Sequence, residues 1–251
     1  MVGIPEDLRE GSGNPALDAA RLLRQRLELN RRFGWDMPVG AASKPQEIAA
    51  EPAAGADSDR EAALEPIRAE VASCTLCGLC EGRTNTVFGT GNALARLLFI
   101  GEGPGREEDL IGEPFVGRAG ELLDKIILAM GFEREQVYIA NIVKCRPPEN
   151  RNPAIEEMAA CLPYLERQVE VIQPDVICAL GGVAAKALLS TDLSVGRLRG
   201  EFHDYAGIPL RVTYHPAYLL RSPHEKAKTW LDIKAVMELL GLELPSRSEG
   251  E

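Results

Sequence analysis

Residues 97–105 of this 251-residue chain read Leu-Leu-Phe-Ile-Gly-Glu-Gly-Pro-Gly. The four apolar residues predict a strand that is buried on both faces, because a half-buried strand alternates apolar and polar side chains. The glycines after it predict a tight loop whose backbone can approach a flat ligand closely. The alternative for the loop is a turn with solvated acidic residues. The stretch therefore predicts an inner strand of a parallel sheet.

Strand and helix patterns alternate along the chain from residue 67 onward. Strands are predicted over residues 97–100, 137–143 and 175–180, with a hairpin over 202–214. Helices are predicted over 120–130, from Pro153 to 172, over 182–189 and over 225–240. This alternation predicts an α/β fold, a three-layer α/β/α arrangement with a mainly parallel central sheet. Ligands bind such sheets at the carboxyl ends of the strands.

The first 66 residues have a different composition from the rest. Residues 17–33 place leucines among charges at helical spacing and predict one amphipathic helix. Residues 38–59 are rich in Ala, Pro, Gly and Ser and predict a flexible linker. We therefore expect an N-terminal extension over 1–66 and a folded domain over 67–245. The extension could recruit a replication or repair protein, or it could be a dispensable tail.

The net charge of −10 argues against a protein that coats nucleic acid indiscriminately, although a local basic surface can still bind DNA. Short basic clusters, such as Lys144 with Arg146 and Arg197 with Arg199, are each expected to be solvated. No segment has the roughly 18–20 apolar residues of a membrane span, and the N-terminus lacks a signal-peptide pattern. These features predict a cytoplasmic monomer.

Six cysteines in a reducing compartment predict metal ligands or buried thiols rather than disulfides. Cys74, Cys77 and Cys80 form a C-x2-C-x2-C run. Thr84 stands where a ferredoxin-type run would place its fourth cysteine, so further ligands must come from elsewhere. The remaining thiols are Cys145 and Cys161, which can complete a four-thiolate set, and Cys178, which is expected to be a buried apolar residue. The spacing leaves zinc and a [4Fe–4S] cluster both open.

Several polar residues fall near the predicted carboxyl ends of strands. Glu102 and Glu108 lie in the loop after residue 100, and Asn141 interrupts an apolar strand. His215 is followed by Pro216, which forces the chain to turn. A buried Asn needs hydrogen-bond partners, so Asn141 is either a structural bracket or a residue that reads a ligand.

The order and the residues of these segments closely resemble those of the family 4 uracil-DNA glycosylases, the iron–sulfur branch of that superfamily. The resemblance covers residues 70 to 240 and rests on the cysteines and three further segments. These segments are 101–109, 112–120 (Gly-Glu-Pro-Phe-Val-Gly-Arg-Ala-Gly) and 215–221 (His-Pro-Ala-Tyr-Leu-Leu-Arg). It implies an enzyme that flips deoxyuridine from DNA and hydrolyses its N-glycosidic bond, leaving an abasic site for base excision repair.

The resemblance also implies roles for individual residues. Glu108 would position or activate water, and Glu102 would be a second acidic residue at the pocket wall. Phe115 would stack on uracil beside the backbone of Gly103. Asn141 would read the uracil edge. His215 would donate to the uracil oxygen that gains charge as the bond breaks. The alternatives are that Glu108 is a solvated acid and that Phe115 is a core side chain.

The same resemblance assigns the remaining groups. It implies that Cys74, Cys77, Cys145 and Cys161 bind a [4Fe–4S] cluster, whereas Cys80 departs from the family pattern and could compete as a ligand. Leu220 or Arg221 would wedge into the space that the flipped base leaves, with Ser222 near a phosphate.

Two alternatives to this enzyme remain open from the sequence. One is a relative that binds uracil-DNA tightly or covalently without turnover, and the other is a non-enzymatic iron–sulfur module that binds DNA. No lysine is predicted in the pocket, which speaks against a lyase step.

Overall fold

The computed structural model describes residues 56–243, and their side chains from residue 59 onward. The predicted amphipathic helix over 17–33 and most of the predicted linker over 38–59 therefore lie outside the described residues. No helix in the described part of the chain is long and apolar enough to cross a membrane.

Six strands of the described region form one sheet in the order β1-β3-β2-β4-β6-β5. Their bounds are β1 Thr90–Gly91, β2 Leu97–Gly101, β3 Tyr138–Asn141, β4 Val176–Leu180, β5 Phe202–Tyr205 and β6 Ile208–Thr213. The four inner strands β3, β2, β4 and β6 pair in parallel, and the two edge strands pair antiparallel with their neighbours. The predicted mainly parallel sheet is thus confirmed.

Eight α-helices connect or flank these strands within residues 56–243. They are α1 Ala56–Ala72, α2 Arg106–Ile111, α3 Arg118–Ala129, α4 Ile155–Ile172, α5 Gly182–Leu189, α6 Val195–Leu198, α7 Pro216–Arg221 and α8 Lys226–Leu239. The predicted helix over 120–130 begins two residues earlier than expected. Pro153 was predicted inside the first turn of α4, but the helix begins at Ile155 with Ala154 as its N-cap.

Two apolar clusters lie on opposite faces of the sheet and make it the middle of three layers. One face carries Leu98 and Ile100 of β2 and is covered by α1, α4 and α5. The other face carries Leu97 and Phe99 and is covered by α3 and α8. Side chains alternate between the faces of a strand, so a strand buried on both faces needs the continuous apolar run seen at 97–100. Cys178 is fully buried, as predicted.

Helix α1 crosses residue 66, the predicted end of the N-terminal extension. It begins at Ala56, inside the segment predicted as a linker. Leu64, Ile67 and Val71 are buried in the cluster that α4 shares, and Arg60 Nη1 donates to the carbonyl of Ile172 at 2.6 Å. The first half of α1 therefore packs with the folded domain, and the division of the chain into two parts remains a prediction.

A chain that starts at residue 56 keeps the whole of α1 and serves as the reference. A chain that starts at Ile67 should lose about 2–5 kcal/mol of unfolding free energy, because the fully buried Leu64 goes with the deleted half-helix. Equilibrium urea unfolding measures both. Leu64→Ala in the full chain is the control for this single contact, and equal stability of the two shortened chains would contradict the prediction.

Candidate functional site

The candidate pocket lies at the carboxyl ends of the inner strands. Gly101 at the end of β2 is in register with Asn141 at the end of β3. The pairing continues past the strands, because the N–H of Ile142 donates to the carbonyl of Gly101 at 3.0 Å. On the other side of β2, the N–H of Gly181 donates to the carbonyl of Thr213 at 2.9 Å, which places His215 beside this edge.

Asn141 presents a buried amide whose oxygen has no partner. The residue is 2% exposed, and its Oδ1 makes no hydrogen bond to any described residue. Gly101 makes room for it, since a Cβ at residue 101 would lie 2.4 Å from that oxygen. An unpaired buried oxygen costs about 1–3 kcal/mol, which makes this amide a candidate to bind a ligand.

Phe115 forms the aromatic wall of the pocket in a strained backbone conformation. Its φ of 54° lies in the left-handed region, which costs a residue with a side chain on the order of 1 kcal/mol or more. Its ring stacks on the imidazole of His215, with centroids 5.4 Å apart and planes at 29°. A Cβ on Gly120 would lie 1.8 Å from the carbonyl oxygen of Phe115, so this glycine allows the tight turn.

Glu108 accepts hydrogen bonds from two separate backbone segments, namely the glycine loop before α2 and the residues directly after Phe115. One carboxylate oxygen accepts the N–H of Gly105 at 3.0 Å. The other accepts the N–H groups of Val116 and Gly117, both at 3.1 Å. A carboxylate offers about four acceptor positions, so three backbone donors leave about one for a further partner such as water.

Glu102 lies on the loop that follows β2 and is half-buried. Its backbone carbonyl accepts the N–H of Val143 at 3.2 Å, which holds the loop against the chain after β3. Burial raises the pKa of its carboxyl above the ordinary value of 4.5. Gly103 lies next to it, and a Cβ there would come within 2.6 Å of a Val143 methyl group.

His215 is held as a neutral donor. It is the N-cap of α7, and its Nδ1 accepts the backbone N–H of Ala217 at 3.1 Å. This bond assigns the ring proton to Nε2. Burial, assisted by the charge of Arg221, lowers the pKa of His215 to about 4, while Glu108 acts in the opposite direction. The imidazole is therefore neutral at physiological pH.

The residues predicted to contact DNA lie at the end of α7, next to His215. Leu220 is 37% exposed and Arg221 is also exposed, whereas Ser222 is half-buried. Leu219 is 1% exposed and packs inside the protein, so it cannot serve as a wedge.

Five cysteine thiols line one cavity on the far side of Val143 from the glycine loop. The cysteines are Cys74, Cys77, Cys80, Cys145 and Cys161. No group of three or more His, Cys, Asp or Glu side chains within residues 56–243 is arranged to hold a metal ion.

Two of the four cysteines predicted as ligands accept a hydrogen bond at their sulfur from a described residue. Arg83 Nη1 donates to Cys145 Sγ at 3.3 Å, and the N–H of Lys144 donates to Cys161 Sγ at 3.2 Å. Burial and the neighbouring Cys74 raise the pKa of Tyr164. Burial raises the pKa of Cys77 against a smaller opposing effect of the Leu79 backbone.

Two of the basic residues predicted to be solvated are not. Lys144 is 1% exposed, and its Nζ donates to the carbonyl of Asn141 at 3.0 Å and to Gln168 Oε1 at 2.6 Å. Burial lowers the pKa of Lys144 to about 8. Arg199 pairs at 3.0 Å with Asp232, a fully buried carboxylate. The prediction of solvated faces was wrong there, because a local basic pattern does not reveal buried partners from distant elements.

Sequence reasoning missed the groups around the predicted ligands, namely Arg83, Lys144 and Tyr164. Arg83 carries a usable signal, because it is a cation nine residues after Cys74 in a predicted ligand loop. Tyr164 carries none, since its position beside Cys74 depends on how α4 packs against α1. The pocket and the cysteine cavity are separate, and residues 141–145 run from one to the other.

Comparison with known proteins identifies relatives over most of the described region. Residues 88–239 match the model of the uracil DNA glycosylase superfamily. The chain is 49% identical over 168 residues to the type-4 uracil-DNA glycosylase of Thermotoga maritima, covering 65% of this chain and 86% of that protein. It is 43% identical over 191 residues to the type-4 enzyme of Archaeoglobus fulgidus, covering 73% and 96%. The type-4 enzyme of Sulfurisphaera tokodaii is 43% identical over 185 residues, covering 70% and 84%.

His215 should remain neutral far below the ordinary histidine pKa of 6.5, because its folded-state pKa is about 4. Between these two values the unfolded chain binds a proton that the folded chain does not, so stability should fall as the pH drops from about 6.5 to about 4. NMR titration of the ring nitrogens of the three histidines tests this, with His215→Asn to assign the signal. A His215 midpoint near pH 6.5 would contradict it.

Proposed function

The chain belongs to the type-4 branch of the uracil DNA glycosylase superfamily, and on this premise we propose that it excises uracil from DNA. It hydrolyses the N-glycosidic bond of a flipped deoxyuridine and leaves an abasic site. The observation that carries the proposal is the buried Asn141 amide, whose unpartnered oxygen lies beside the stacked rings of Phe115 and His215.

Asn141 reads the uracil edge. Its side-chain N–H donates to uracil O4 and its Oδ1 accepts the uracil N3–H. Cytosine offers a bare N3 and an amino group at these positions, which would leave Oδ1 facing an acceptor. Discrimination through such unpaired groups is stronger than discrimination by shape alone. The protein leaves this oxygen free for the base, which supports the assignment.

Phe115 and Gly103 hold the flat face of the base. The Phe115 ring stacks against uracil, and the Gly103 backbone lies beside the base, where the absence of a side chain lets the loop pack against Val143. The stack of Phe115 on His215 limits the freedom of both rings, so the pocket is ordered before the base arrives.

His215 stabilises the leaving base through its Nε2–H. Negative charge develops on uracil as the bond breaks, and a preorganised donor at that charge typically contributes about 3 kcal/mol. A neutral imidazole is suited to this role, because Nδ1 is already engaged by Ala217 and fixes the ring orientation. The donor therefore needs no proton from solvent.

The two carboxylates act on the sugar side of the reaction. Glu108 keeps about one acceptor position for water beyond its three backbone bonds, so it orients the attacking water while holding the Phe115 loop. Glu102 lies at the pocket wall, and its charge stabilises an oxocarbenium-like sugar. No nucleophilic lysine is needed, which makes the enzyme monofunctional.

The end of α7 engages the DNA from which the base is flipped. Leu220 or Arg221 fills the vacated space, as apolar wedges do in other duplex-deforming proteins. Ser222 contacts a neighbouring phosphate. Exposure of Leu220 and Arg221 directly after the His215 segment supports this placement.

The cysteine cavity holds a [4Fe–4S] cluster on four thiolates, Cys74, Cys77, Cys145 and Cys161. Zinc needs its ligands about 2.3 Å from one point, and no group of three or more potential ligands within residues 56–243 is placed to hold a single ion. Hydrogen bonds to the sulfurs of Cys145 and Cys161 fit thiolate ligands, whose charge favours donors. When bound, the cluster supplies structural cross-linking of the N-terminal loop to the segment after β3, not a chemical step.

In the cell this activity serves base excision repair of uracil in DNA. We place the protein in the cytoplasm as a monomer, with residues 1–66 available to a replication or repair partner.

The test of the function is alkali-dependent cleavage of an oligonucleotide with one deoxyuridine, beside an otherwise identical thymine control. Strand breaks only after alkali, and only with uracil, are expected. Cleavage without alkali would reject a monofunctional enzyme. No cleavage by cluster-loaded protein would reject the function, and a heat-stable protein–DNA adduct would then identify a covalent binder.

Asn141→Asp should lose the preference for uracil over cytosine by at least about 10-fold, because a carboxylate cannot supply both a donor and an acceptor to the uracil edge. Single-turnover kinetics on matched uracil and cytosine duplexes measure this ratio. Asn85→Asp is the matched control, since Asn85 bonds only the carbonyls of Asp109 and Leu110. Unchanged selectivity in Asn141→Asp would remove Asn141 from base recognition.

Cys74→Ala and Cys161→Ala should each lose iron, whereas Cys80→Ala should keep it, because Cys80 lies outside the proposed four-thiolate set. Iron and zinc per chain are measured by mass spectrometry, together with visible absorbance. Iron loss in Cys80→Ala with retention in Cys74→Ala would show that Cys80, and not Cys74, is the ligand. Stoichiometric zinc without iron in the wild-type protein would overturn the cluster itself.

A further inference from the structure

The cysteine cavity contains two cations and no acidic side chain among its lining residues. The cations are Arg83 and Lys144. A [4Fe–4S] cluster on four thiolates carries a net negative charge, and partly buried charge is costly unless opposite charge lies nearby. The lining is therefore complementary to the ligand set described above.

Arg83 is one of the residues that line the cavity, and it is half-buried. Its Nη1 donates both to Cys145 Sγ at 3.3 Å and to the carbonyl of Cys74 at 2.7 Å. Its Nη2 donates to the carbonyl of Ala72 at 3.3 Å, at the end of α1. One guanidinium thus joins two predicted ligand residues that are 71 positions apart in the chain.

Lys144 supplies the second charge from the protein interior. Its ammonium group interacts electrostatically with Cys161, and its own backbone N–H bonds that sulfur. The nearby carboxylates are already paired, Glu157 with Arg151 at 2.6 Å and Glu70 with Arg167. Their negative charges are therefore already balanced and do not neutralise the positive charges of Arg83 and Lys144.

We propose that Arg83 and Lys144 are the counter-charges of the iron–sulfur cluster, and that Arg83 sets its reduction potential. This rests on the cluster assigned under the proposed function. Reduction adds one electron to the cluster and no proton, so the reduced form is more negative. A cation and an N–H···S bond stabilise that form and raise the potential.

The experiment is film voltammetry of the cluster-loaded protein, in which the electrode supplies the electron. Arg83→Gln removes the charge but keeps a hydrogen-bond donor, and its midpoint potential should fall below that of the wild type. Arg83→Lys keeps the charge, and its potential should stay close to wild type. Arg68→Gln is the control, because Arg68 lies on α1 and bonds Glu61 and Glu65 rather than a cysteine.

Iron retention is measured beside the potential by timed transfer to a chelator. Loss of neighbouring groups typically weakens a metal site by about 10–100-fold, so Arg83→Gln should release iron about 10-fold faster. If Arg83→Gln loses its iron during purification, retention by Arg83→Lys supports the charge role.

Two results would overturn the inference. One is an iron-loaded Arg83→Gln protein with the wild-type potential. The other is equal iron loss from Arg83→Gln and Arg83→Lys, which would make the bonds to the Cys74 and Ala72 carbonyls the decisive contribution. A wild-type protein without iron would instead refute the cluster, so the two failures are distinguishable.

Discussion

The close approach of Asn141 and Phe115 to the backbone of Gly101 is the constraint on which the pocket depends. A Cβ at Gly101 would lie 2.4 Å from the Asn141 oxygen and 2.7 Å from the Phe115 ring. Because glycine carries only a hydrogen at this position, the Asn141 amide and the Phe115 ring can both lie against the end of β2. His215 then completes the site by stacking on that ring. Three segments far apart in the chain thus converge on one glycine.

The strain at Phe115 is offset by bonds that the same segment makes. Glu108 accepts the N–H groups of Val116 and Gly117, which directly follow Phe115, and each neutral–ionic bond of this kind contributes about 1.5–3 kcal/mol. That contribution exceeds the cost of the left-handed conformation at Phe115. One carboxylate therefore holds the aromatic wall, and in the proposed function its remaining acceptor position orients water.

The sequence predicts the features that depend on local pattern. The apolar run at 97–100 predicts a parallel inner strand, and this places Gly101 and Asn141 at one edge, as observed. It does not predict the burial of Lys144, because the partners Gln168 and Phe88 come from distant segments that only packing brings together. The start of α1 is missed for the same reason. The local sequence pattern of residues 56–64 gives little indication of a helix, whereas Leu64 packs against α4 in the fold.

The segment from Asn141 to Cys145 gives a physical reason for the proposed cluster, which has no assigned step in bond cleavage. Lys144 Nζ holds the carbonyl of Asn141, while its backbone N–H bonds Cys161 Sγ. The Asn141 side-chain oxygen makes no hydrogen bond that would hold the end of β3 in place. Other contacts must therefore fix the backbone at this position. Thiolates fixed four residues further along restrain the same backbone from the other side. The proposed cluster would thereby stabilise the position of Asn141.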